Sequence, residues 1–136
     1  MSRSFAGECW SIDTRARDLL DVHWVLGLNS PGLAYPQRHD AIHTGFNSGY
    51  QAIGLAVLFG ATQIYLLGFD FSNDGAQVHW HGDHPTGLGN GGHYPLWIDA
   101  MNRLAVDLKW NDIEVINCSR RSALKCFPRR AIEACV

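Results

Sequence analysis

The stretch VHWHGDHP, residues 78–85, places His79, His81, Asp83 and His84 within six positions. Imidazoles and a carboxylate at that density can hold a divalent metal. The order His-x-His-x-Asp-His is also the spacing that starts a two-metal hydrolytic centre, with His79 and His81 on one ion and Asp83 and His84 on the other. Such a centre needs further ligands well downstream, and only His93 follows. Three other readings stand beside it. Two or three of these side chains can bind a single metal, one histidine can act as a general base near neutral pH, or the loop's imidazoles can bond backbone and water.

Two other places can carry chemistry. In TGFNSG, residues 44–49, Gly45 and Gly49 flank Asn47 and Ser48 ahead of an apolar run. Glycines there let backbone N–H groups approach an anion, and a helix dipole favours negative charge at its start. The plainer reading is an ordinary capped turn. Asp70 ends the apolar run of LLGFDF, where a carboxylate can orient a ribose, a metal or a sugar hydroxyl, or bond loop N–H groups.

SRRSALKCFPRR gathers Arg120, Arg121, Lys125, Arg129 and Arg130. Such a group can clamp a phosphate or carboxylate, or simply form a solvated face. Trp80 and Trp97 can stack on a sugar or base. Trp97 shares a helical stripe with Met101 and Leu104, which assigns it to the core.

The elements that must position these residues follow from punctuation and periodicity. VHWVLGL, Val22–Leu28, is expected to be a strand. Asn47 or Ser48 caps a helix from Tyr50 to Phe59, and Gly60 fits its left-handed C-terminal position. Ile64–Leu67 is a short apolar run bounded by glycines, as in a strand buried on both faces. Pro95 opens a second helix, whose stripe of Trp97, Met101, Leu104 and Leu108 ends near Asn111. Ile113–Asn117 reads as the next parallel strand, and a short helix is expected over Arg129–Cys135. Between the two units lies a long polar loop, Ser72–Tyr94. The expected architecture is a three-layer, Rossmann-like α/β domain with a mostly parallel sheet, residues 1–136 forming one domain. The glycine turn, Asp70 and the histidine loop then fall at the carboxyl edge of the sheet, where ligands collect.

Composition sets the outer bounds. With 46% hydrophobic and 18% charged residues in 136, the chain supports one globular core. A net charge of -2 gives no reason to expect a nucleic-acid partner. The apolar stretch from Ala52 to Leu67 is interrupted by Gly54, Gly60, Thr62 and Gln63, too broken to span a bilayer. Cys9, Cys118, Cys126 and Cys135 form no C-x-x-C pair and read as reduced thiols of a cytoplasmic protein.

The segment NSGYQAIGLAVLFGATQIYLLGFDFSNDG resembles the centre of bacterial sialyltransferases of the Campylobacter type. Its Ser-Gly turn, its apolar helix ending in Gly and its strand closing in Gly-x-Asp-Phe carry the likeness. The layout is also similar to motility-accessory-factor glycosyltransferases and 6-hydroxymethylpterin diphosphokinase-like proteins. It looks closest to uncharacterised phage members with HWHGDHP, IEVINCS and SALKCFP.

The resemblance implies a nucleotide-activated, CMP-linked sugar donor, with no certain cofactor beyond a divalent metal held as an open alternative. Asn47, Ser48 and Gly49 would touch the donor's phosphate or carboxylate, and Asp70 its sugar or nucleotide. A histidine of the following loop would deprotonate the acceptor. The resemblance does not single one out among His79, His81, His84 and His93; His81 or His84 is expected in that role, with His79, Asp83 and Gly45 expected to line the site. Two features depart from the family. Phe71 and His79 stand where its phosphate-binding tyrosines are expected, and nothing before FAGECWSI matches its opening strand and glycine-rich turn. The chain is accordingly expected to be the C-terminal part of a longer member. The rival expectations are a non-catalytic phage accessory or binding protein that retains the fold and, third, a metal-dependent hydrolase using the histidine cluster.

Overall fold

The computed structural model describes residues 6–72 and 92–135. His79, Trp80, His81, Asp83 and His84 lie outside the described residues. The chain runs β1 (Trp10–Ser11), α1 (Thr14–Leu19), β2 (His23–Trp24), β3 (Leu26–Leu28) and β4 (Ala41–His43). It continues through α2 (Ser48–Leu58), β5 (Gln63–Leu66), α3 (Tyr94–Trp110) and β6 (Glu114–Asn117) to a short 3-10 turn, Ile132–Ala134. Among the described residues every strand pair is parallel: β1 with β2, β3 with β4, and β5 with β6. The fold is α/β, built from small parallel sheets.

The strand expected over Val22–Leu28 is present, but it changes partner midway. The N–H groups of His23 and Val25 donate to Cys9 and Ser11, whereas that of Leu26 donates to Asp40 on the opposite side. Alternate N–H groups of an extended chain point to opposite sides, so one run can serve β1 and then β4.

Helix α2 ends as its glycine requires. The Gly60 N–H donates to the Val57 carbonyl at 2.8 Å and the Ala61 N–H to the Ala56 carbonyl at 3.0 Å, with Gly60 at φ +88°. This paired closure satisfies two carbonyls the helix would otherwise leave bare. α3 closes the same way, except that Asp112 holds the left-handed position at φ +55°, and Ile113 donates to Leu108.

The core forms where the two helices meet β5 and β6. Tyr50, Ile53 and Val57 of α2 and Met101, Leu104 and Leu108 of α3 pack in one cluster with Leu66, Val115 and Leu124. Each fully buried aliphatic side chain there contributes about 1.5–3 kcal/mol relative to exposure.

The helix expected over Arg129–Cys135 is only the one 3-10 turn. Its first residues instead run alongside β6, where the Asn117 N–H donates to the Pro128 carbonyl and the Arg130 N–H to the Asn117 carbonyl. Pairing with the strand end outcompetes helix formation in so short a segment.

Candidate functional site

The turn before α2 is held by its own asparagine. Asn47 Oδ1 accepts from the Tyr50 N–H at 2.8 Å, and Nδ2 donates to the Gly45 carbonyl at 3.1 Å. Capping therefore occupies the Asn47 amide. The N–H groups of Ser48 and Gly49 have no acceptor among the described residues. They are the donors left open at the positive end of the helix.

Gly45 is buried under this turn at φ +50°, where a Cβ would run into the Tyr50 ring. It shapes the turn from beneath. Thr44 Oγ1 is buried and has no hydrogen-bond partner among the described residues. Tyr50 reaches further back: its hydroxyl accepts from the Gly32 N–H at 2.6 Å and donates to the Gly32 carbonyl at 2.8 Å. Burial pushes the phenol's pKa up.

The second contributor is the chain leaving β5. Gly68, at φ +73°, turns it outward. The Phe69 N–H donates to Ser119 Oγ at 2.7 Å, Ser122 Oγ donates to the Phe69 carbonyl at 2.6 Å, and the Ala123 N–H donates to the Asp70 carbonyl at 2.8 Å. Behind them Asn117 is fully buried, with Nδ2 donating to Ser122 Oγ and Oδ1 accepting from the Ser119 N–H. The loop after β6 thus fixes the Asp70 backbone while the Asp70 residue stays exposed. Phe71 follows in a left-handed conformation, φ +52°. Such strain persists where surrounding structure imposes it, often beside a functional surface.

Turn and strand end meet closely. A Cβ on Gly49 would lie 3.0 Å from Phe69 Cε1, so the absence of a side chain there lets the helix start approach the residue before Asp70. Between them opens a cleft of about 430 Å³, lined by Asn47, Ser48, Gly49, Asp70, Phe71, Tyr94 and Trp97 among others. Two of the three places singled out in the sequence therefore share one hollow. The third, the histidine stretch, lies outside the described residues.

Trp97 is a correction. It is half-buried and belongs to the cleft wall, where it makes edge contacts with Phe71 (ring centroids 6.5 Å) and Tyr94 (5.5 Å). The helical stripe places it on the same face as Met101, but it sits in the first turn of α3, beyond the buried cluster. The resulting surface combines an exposed carboxylate, two open N–H donors and aromatic walls. It suits a polar ring bearing an anionic group. Among the described residues no three His, Cys, Asp or Glu side chains converge as a metal site.

Periodicity gave no hint of Asn117, Ser119 and Ser122. The available signal was local: an asparagine closing a strand, with serines two and five residues on, can fold back on its own loop.

Comparison with protein-family models, with curated proteins and with solved structures finds no match to this chain.

Proposed function

We propose that the protein is a nucleotide-dependent transferase of sialyltransferase-like plan on a three-layer, Rossmann-like frame. It moves a sugar from a CMP-linked donor to an acceptor hydroxyl. The observation that carries this reading is the shared cleft, in which the Ser48–Gly49 turn faces the same hollow as Asp70.

In this mechanism the open N–H groups of Ser48 and Gly49, with the helix dipole, hold the donor's anionic group. Asp70 accepts from a ribose or sugar hydroxyl, and Trp97 and Phe71 stack against a ring. His81 or His84 takes the acceptor's proton as its oxygen bonds to the anomeric carbon. The bond from that carbon to the donor phosphate oxygen breaks, and the nucleotide leaves with the electron pair. The protein's contribution is positioning and charge stabilisation.

Calorimetric titration with CMP, CDP and a CMP-linked sugar tests the reading. At least one binds the wild-type protein, and Asp70→Asn weakens it about tenfold, roughly 1.4 kcal/mol. Absence of heat from all three at about 5 mM, an affinity weaker than roughly 3 kcal/mol, removes the reading. Binding without turnover of the sugar nucleotide replaces it with a non-catalytic binding role.

A further inference from the structure

A second hollow, of about 550 Å³, lies beyond the ends of β5 and β6 and, among the described residues, shares Gly68 alone with the first cleft. Its walls carry Arg120, Arg129 and Arg130, with Glu133 as the one carboxylate among the lining residues. Among the described lining residues, three guanidinium groups face one carboxylate, an excess of positive charge in a chain whose net charge is -2.

These arginines are placed by the fold rather than scattered on it. Arg129 Nη2 donates to the Ser119 carbonyl at 3.0 Å and to the Arg120 carbonyl, tying the two basic segments together. The Arg130 N–H donates to the Asn117 carbonyl at 3.2 Å, which locks that residue beside the end of β6. Arg15, Arg17, Arg38 and Arg103 each pair with an aspartate, whereas no ion pair of Arg120, Arg129 or Arg130 is found among the described residues. Holding three like charges together against one carboxylate costs stability unless an anion completes the site. The planar guanidinium also matches phosphate oxygens two at a time. The carboxyl edge of paired parallel strands is where such ligands bind.

We infer that this hollow is a binding site for the phosphate or diphosphate group of a small molecule. It stands independently of the transferase reading, because none of its arginines lines the Asp70 cleft. A hollow of this size takes a terminal phosphoryl group, not a duplex or a membrane surface.

Inorganic pyrophosphate, titrated calorimetrically into the full chain at low ionic strength, is the probe. The expected result is one site with Kd below about 1 mM, weakened about tenfold in the double variant Arg120→Ala/Arg130→Ala. Arg103→Ala, which removes one positive charge from the exposed face of α3, leaves the affinity unchanged. Should the double variant lose its melting transition, Arg120→Gln and Arg130→Gln taken singly are each expected to weaken binding about threefold. No heat at about 10 mM pyrophosphate, equal weakening by Arg103→Ala, or full affinity in the arginine variants overturns the assignment.

Discussion

Asn117 and Ser122 are joined by a 2.9 Å hydrogen bond from Nδ2 to Oγ, and the same hydroxyl donates to the carbonyl of Phe69. A fully buried amide at the end of β6 thereby sets the position of Phe69, the residue before Asp70 in the chain leaving β5. The carboxylate owes its place to a strand other than its own.

Replacing Asn117 with Leu leaves the Ser119 N–H without its acceptor, while Ser122 Oγ keeps its bonds to the Phe69 carbonyl and the Leu124 N–H. The expected loss is about 1–3 kcal/mol, the cost of one orphaned buried polar group. Chemical denaturation measures it. A change below about 0.5 kcal/mol would show that the network is not what holds the loop.

Glycines at two positive-φ positions separate backbone strain from close packing. Gly60 has open space around its missing Cβ, so Gly60→Ala is expected to cost about 1 kcal/mol from conformation alone. Gly45 adds a collision with the Tyr50 ring, and Gly45→Ala is expected to cost about 3 kcal/mol or more. Equal costs at the two sites, read from denaturation midpoints, would contradict the packing shown for the turn.

Burial raises the pKa of the Tyr50 phenol and of the Cys118 and Cys126 thiols, with the neighbouring Cys135 thiol also raising Cys118. Each native group then keeps its proton after its unfolded counterpart has lost it. Stability present at neutral pH is therefore lost as pH rises above about 8.5 for the thiols and about 10 for the phenol. Melting curves from pH 7 to 11 should decline, and Tyr50→Phe should flatten the upper part of that decline. At about pH 8.5, iodoacetamide should label exposed Cys9 ahead of Cys118 and Cys126. Uniform labelling would mean that the two thiols are not shielded.

Local chemistry made much of this legible beforehand. The cap at Asn47 and the closure at Gly60 each depend on a residue type whose backbone preference is strong, and each stands as expected. The strand before Asp70 is present as Gln63–Leu66 but is not buried on both faces: Gln63 is exposed, Ile64 and Tyr65 are half-buried, and Leu67 just beyond it is 64% exposed. Periodicity assigns Trp97 to the core, and the structure does not, because a helical stripe reports a face and not how far along the helix the core extends. The segment after Pro128 is not the expected helix, because pairing with the end of β6 lies outside any local window. Val25 marks where a strand changes partner, which depends on Ser11 and Asp40, far away in sequence.

The Ser48–Gly49 turn, Asp70 and Trp97, which line one cleft, are proposed to bind one ligand together. Proton–nitrogen correlation spectra of labelled protein, recorded during titration with a CMP-linked sugar, test this joint binding most directly. Saturable shifts of the Ser48 and Gly49 amides and the Trp97 indole N–H are expected, with the Asp70 amide moving in step at a single affinity. Shifts confined to other residues, or no saturable change at about 5 mM ligand, would contradict it.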